Sequence, residues 1–192
     1  MKRILILLLP LVMVCCKNES SSQNKAAAME SEATLASTPD DATVAPSKGG
    51  ISQELSISVP EVTAKSGDQI CVDLLVSGFE KLLSMQYTIA WNKNILTFKE
   101  LKNFSLPHLD VNDFGTTRTQ EGMVTIAWID DSLKGVTVPD GSSVYQVCFE
   151  VKGKAGERSY VKITDRPTTI EVINVREKSI PLKKKAGGVT IL

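Results

Sequence analysis

The sequence predicts an all-β fold, a sandwich of nine short strands, and three observations carry that prediction. After about residue 52, nine apolar-alternating runs follow one another, with the period of strands that turn one face to a core. Turn residues separate them: Ser66-Gly67-Asp68, Gln120-Glu121-Gly122, Pro139-Asp140-Gly141 and the stretch Gly153 to Gly156. No run carries a helical period, and roughly 140 residues suffice for one domain with its own core.

The runs can be justified in order. Leu55 to Val59 opens the folded part, and Ile70 to Val76 follows the first turn. In this second run Ile70, Val72, Leu74 and Val76 form the inward set, which leaves Cys71 and Asp73 outward. In the third, Leu83 to Trp91, Met85, Tyr87, Ile89 and Trp91 alternate with Gln86, Thr88 and Ala90. The polar corner Asn92-Lys93-Asn94 ends it, and the fourth run, Ile95 to Phe98, returns apolar bulk to the core. The longest connection, Lys102 to Thr119, carries Phe104, Leu106, Leu109 and Phe114, so it is expected to pack as a lid across one end of the sandwich.

Met123 to Ile129 turns Val124, Ile126 and Trp128 inward. In Val144 to Val151 the inward set is Tyr145, Val147, Phe149 and Val151, with Cys148 and Glu150 outward. Tyr160 to Thr164 alternates an outward Tyr160 against Val161 and Ile163, and Ile170 to Val175 and Gly188 to Ile191 complete the set. The one basic run, Lys183-Lys184-Lys185, is read as a solvated turn between strands.

The residues before 53 have a different texture. Met1-Lys2-Arg3 is a basic n-region, and Ile4 to Val14 is an apolar stretch that ends at Cys15-Cys16. It is too short for a span that needs about 20 residues, so it reads as a secretory signal. Cysteine directly after the apolar stretch, followed by polar Lys17-Asn18-Glu19-Ser20, resembles the lipobox of bacterial lipoproteins. The expectation is a signal peptide over 1–16, lipidated at Cys16 with Cys15 as the alternative. Residues 17–52, rich in Ser, Ala, Thr, Glu, Asp and Pro, cannot bury enough surface to order themselves and are expected to form a disordered tether of about 30 Å or more. The folded domain is expected over 53–192. The protein is thus expected to be exported and lipid-anchored in the bacterial cell envelope, at the outer membrane or cell surface, with the anchor as its only membrane contact.

Composition and spacing exclude several functions. Lysine plus arginine and aspartate plus glutamate each number 22, so no long-range attraction to nucleic acid is expected. With a single histidine, His108, no Ser-His-Asp arrangement or metal cluster can be built. The acid pairs Asp110 with Asp113 and Asp130 with Asp131 read as solvated loop acids without a glycosidase signature. Asp110, Asn112 and Asp113 are spaced as oxygen ligands for calcium, but the rest of the ligand set is missing. The protein is expected to be no enzyme, with no cofactor or metal. Trp91 and Trp128 fall on inward faces, which takes them from any sugar-binding platform. Cys71 and Cys148 both face outward, and would form a disulfide in an exported protein if their strands are neighbours; free thiols are the alternative.

Taken together, the Ser66-Gly67-Asp68 turn into Ile70-Cys71-Val72, the Met85 to Phe98 unit, Gly122 into Met123 to Asp130, and Asp140-Gly141 into Val144 to Val151 resemble the cohesin domain. The likeness covers roughly Leu55 to Leu192. It implies a nine-stranded jelly-roll sandwich related to carbohydrate-binding modules. It also implies that the strands of Cys71 and Cys148 are neighbours, which would make the two a disulfide. Family members bind dockerin modules through one sheet face, so the resemblance implies a partner-binding face of Gln86, Thr88, Ala90, Thr125, Ala127 and Ile129, small and flat. Trp91-Asn92-Lys93 stands where the family commonly has Tyr-Asp-Pro. The implied function is a surface-anchored monomeric module that docks a dockerin-like module or secreted enzyme in a polysaccharide-utilisation context. Direct binding of polysaccharide by the same sandwich is the alternative.

Overall fold

The computed structural model describes residues 53–192. The expected signal segment 1–16, the lipidation at Cys16 or Cys15 and the tether 17–52 lie outside the described residues. The strands are β1 (Leu55–Ser58), β2 (Val62–Ala64), β3 (Gln69–Ser77), β4 (Leu82–Ala90), β5 (Leu96–Lys102) and β6 (Phe114–Gly115). They continue as β7 (Met123–Ile129), β8 (Ser142–Val151), β9 (Arg158–Thr164), β10 (Glu171–Asn174), β11 (Leu182–Lys185) and β12 (Gly187–Ile191). One sheet runs β11-β1-β3-β8-β5; the other runs β2-β12-β9-β4-β7-β6, with β10 also paired to β4. All nine expected runs form strands.

Between the sheets lies a continuous apolar core that takes in Leu74, Met85, Ile89, Val124, Val147 and Phe149. The inward sets read from the alternation are the ones that pack there, because burying one face of a strand requires an apolar residue at every second position. Trp91 and Trp128 are both buried core residues. The Trp91 indole N–H donates to the carbonyl of Leu96 at 3.0 Å, and its ring meets Phe149 edge-on at 5.0 Å between centroids. Both strands flanking the corner are thereby tied to one side chain. Asn92 shapes the corner itself: its side-chain oxygen accepts from the Asn94 N–H at 3.0 Å and its carbonyl from Ile95 at 3.0 Å. These bonds close the turn at the corner.

Leu106, Leu109 and Phe114 are buried, and the Trp128 indole donates to the Pro107 carbonyl at 2.9 Å. The 102–119 connection is therefore a lid, as expected. Cys71 and Cys148 stand directly opposite in β3 and β8 and are joined by a disulfide that spans 77 residues of sequence. Cys148 faces outward, yet it is buried, in a strand hydrogen-bonded on both sides by β3 and β5.

Three strands were not legible. β2 and β6 are three and two residues long, too short to show a period. The third corrects the reading of Lys183-Lys184-Lys185: these residues form not a turn but most of β11, paired in parallel with β1 so that Ile57 stands beside Lys184. An edge strand is held through its backbone and needs no apolar period, and exposed lysines keep such an edge from recruiting another chain.

Candidate functional site

The outer face of the larger sheet centres on β4, and the registers of its neighbours lay out that face row by row. Ile173, Ser84 and Ile129 stand abreast on β10, β4 and β7. Next come Glu171, Gln86 and Ala127, then Thr164, Thr88 and Thr125, then Lys162, Ala90 and Met123. Every expected member of the face thus lies on it: Gln86, Thr88, Ala90, Thr125, Ala127 and Ile129. Gln86, Ala90 and Thr125 are half-buried, Ala127 is exposed and Ile129 is 54 % exposed.

Thr88 corrects the expectation of a small, flat face. It is 0 % exposed. Thr164 pairs with Thr88 and Glu171 with Gln86, so the chain inserts residues 165–170, six in all, where β4 advances past Tyr87 alone. The excess folds back over the sheet as a strap. Its Thr168 N–H donates to the Thr88 hydroxyl at 3.1 Å, and the Gln86 amide donates to the Thr169 carbonyl at 3.3 Å. Ile170 packs against the core and roots one end. The middle of the face is therefore roofed, and what remains open lies to either side.

On the β10–β7 side, Ser84, Gln86, Ala127, Ile129 and Glu171 line a shallow notch of about 190 Å³. Small Ser84 and Ala127 make its floor because larger side chains at those positions would fill it. On the β9 side, Tyr160 is 56 % exposed, with the Arg158 guanidinium 4.9 Å from its ring centre. Arg158 also pairs with Glu61 at 2.6 Å and lies over Gly188, where a Cβ would come within 2.3 Å of its Nη2.

The acids considered for chemistry are otherwise employed. Asp110 caps the 3₁₀ turn Val111–Asp113: its carboxylate accepts from the Asn112 N–H at 2.6 Å while Asp113 accepts from the Asp110 N–H at 2.9 Å. Asp131 is exposed, and so is His108, at the exposed tip of a loop with a φ of 60°. Asp130 corrects its reading as a solvated acid: it is only 2 % exposed. Its carboxylate accepts from the Ser132 N–H at 3.0 Å, the Ser132 hydroxyl at 2.8 Å and the Gly135 N–H at 2.8 Å. The Ser132 hydroxyl, with these backbone N–H groups, holds that carboxyl below its ordinary range. Among the described residues, no three His, Cys, Asp or Glu side chains converge to hold a metal.

Sequence reasoning missed the strap and Glu171, which carry no motif, and the Asp130 loop, whose Asp-x-Ser spacing was a readable turn signal.

Comparison with protein families matches residues 55–181 to the family described as the cohesin domain. No curated protein matches. Among solved structures, a type I cohesin–dockerin complex from Clostridium thermocellum aligns at a TM-score of 0.62 and 14% identity, over 72% of this chain and 99% of that one. The sixth cohesin of scaffoldin B from Acetivibrio cellulolyticus, in complex with a dockerin, aligns at 0.62 and 16%, over 72% and 99%. A non-cellulosomal cohesin from the hyperthermophilic archaeon Archaeoglobus fulgidus aligns at 0.56 and 18%, over 72% and 91%. At such identities the likeness speaks for the fold.

Proposed function

The chain belongs to the cohesin domain family, and from that premise we propose that it is a non-catalytic docking module for a dockerin-type protein partner, acting as a monomer. One observation carries the reading. The outer face of β10, β4 and β7 exposes Ala127 and Ile129 beside a notch, on a fold whose solved relatives include cohesins bound to dockerins. Apolar side chains left open next to small ones offer a complementary surface a place to exclude water. The lipobox-like Cys15-Cys16 and the long polar segment after it support a lipid-anchored, exported protein, and the partner proposed for it is a secreted, polysaccharide-active enzyme.

Direct polysaccharide binding has less support. Both tryptophans are core residues, and Tyr160, the one Phe, Tyr or Trp ring more than a third exposed among the described residues, has Arg158 packed over it.

Titration calorimetry of the protein against purified dockerin modules tests the docking reading. Binding to at least one dockerin is expected, weakened tenfold or more in Ala127→Arg. Failure to bind any dockerin, or an Ala127→Arg protein that binds as well as the wild type, would overturn it.

A further inference from the structure

Among the described residues Lys183, Lys184 and Lys185 are the one run of three like charges, and all three are exposed on β11. Nothing neutralises them. None of the three forms an ion pair among the described residues. In register with them stand Ser56, Ile57 and Ser58 on β1, and beyond these Ser77, Val76 and Leu75 on β3, six residues without a charge. The whole chain has as many acidic as basic side chains, so this edge is a local excess. Alternation puts Lys184 in the inner row with Ile57, and Lys183 and Lys185 in the outer row with Ser56 and Ser58, so the charge spreads to both sides of the edge. Guarding an edge against another strand takes a single lysine. The further two need another reason.

The position of the edge supplies one. β1 and β11 run parallel from a common start: Leu55 stands beside Leu182, and the Leu55 N–H donates to the Pro181 carbonyl at 3.1 Å. Leu55 opens the first strand, so everything before it in the sequence, Cys15 and Cys16 included, reaches the sandwich at this strand pair. A chain anchored at either cysteine brings this corner repeatedly to a lipid surface. A contact too weak to form between free molecules is then occupied, because the anchor raises its effective concentration.

We propose that β11 is a second, electrostatic contact with the membrane, which seats the domain edge-on against anionic lipid headgroups. The inference rests on the lipid-anchored reading above and adds to it a contact and an orientation. Ammonium groups on flexible stems recognise a density of negative charge and not a shape, which suits a headgroup layer better than a single acidic peptide. Each lysine brought to such a layer raises partition roughly fivefold. Because β11 ends its sheet, an edge-on seat stands both outer faces upright and leaves β10, β4 and β7 clear for a partner.

The test uses the full chain in two forms. Carrying its anchor, it is incorporated in vesicles of phosphatidylcholine alone or of equal parts phosphatidylcholine and phosphatidylglycerol, and its lysines are acetylated with a water-soluble reagent and read one by one by mass spectrometry. On the anionic vesicles Lys183, Lys184 and Lys185 are expected to react at least fivefold more slowly, a difference that molar salt abolishes. Lys102 on β5, at the other edge of the sheet, should change by less than twofold. Equal reaction on both vesicles would overturn the seat while the anchor stands. The Cys15→Ser, Cys16→Ser chain, added to the same vesicles, separates the seat from the anchor. Its partition to anionic vesicles should fall by about 30-fold or more when Lys183→Gln, Lys184→Gln and Lys185→Gln are combined, with melting curves to check the fold. An unchanged partition sinks the proposal, and so does protection of the three lysines by polyglutamate or heparin but by neither vesicle, which would assign the edge to a soluble polyanion. If the anchored form joins no vesicle, lipid anchoring falls and the partition of the second form decides the seat.

Discussion

The hydroxyl of Tyr87 on β4 meets that of Tyr145 on β8 at 2.8 Å, joining the two sheets through the middle of the core. Both rings are wholly buried. Each hydroxyl is the other's hydrogen-bond partner, so Tyr87→Phe leaves the Tyr145 hydroxyl stranded in an apolar interior. A loss of about 1–3 kcal/mol is expected from urea unfolding, and the Tyr87→Phe, Tyr145→Phe double variant should lose less than the two singles combined.

The same pair sets an alkaline limit. Burial pushes both phenols above their ordinary value of 10.0, and at Tyr145 the neighbouring phenol adds to the effect. The folded state keeps these protons while the unfolded chain releases them, so stability is full below about pH 10 and falls as the pH rises beyond it. Unfolding free energies measured on both sides of pH 10 should show the decline, and the double Phe variant should show less of it.

At the acid end the Asp130 loop responds in the opposite sense. Its carboxyl lies below the ordinary 3.8, so its contribution to stability is present above that value and is lost as the pH falls through the lower, folded value. Asp130→Asn should flatten the acid limb of the stability curve and loosen residues 131–135, read as faster amide exchange at Gly135.

Reduction of Cys71–Cys148 releases a loop of 77 residues. By the chain-entropy model this should cost about 4 kcal/mol, measured as the difference in unfolding free energy with and without a reductant that leaves the rest of the chain untouched.

The strap is held over the sheet by side chains. Thr88→Val keeps the volume of the threonine but removes its hydroxyl, so the Thr168 amide should exchange faster while those of β4 stay protected. The cost to global stability should be about 0.5–1.5 kcal/mol, because the freed Thr168 amide lies at the surface and can turn to water.

The core was legible because a strand buried on one face must alternate, and β3, β4, β7 and β8 do so along their inward sets, with Ile70 alone only partly buried. The family resemblance placed the two cysteines beside each other, and their parity agreed with it. Thr88 was not legible, for its burial comes from Thr168, 80 residues further on, in a segment without any period. Nor could alternation reveal β11, whose pairing runs through its backbone. Asp130 was visible as a residue but not as a buried one: the Asp-x-Ser spacing marks a turn, while the Ser132 and Gly135 N–H groups it also holds look alike in every sequence. For Thr88 and β11 what escaped was a covering or pairing made at long range.

The parallel pairings of β1 with β11 and of β2 with β12 bear on when the protein can fold at all. β2 has no other strand partner, and β12 is what joins it to β9, so a chain that ends short of residue 187 cannot complete that sheet. Closing contacts between the first and last strands of a domain is slow, on the order of milliseconds to seconds for sandwiches of this kind. Synthesis must therefore reach β12 before that sheet can close, and until then β2 waits without its partner.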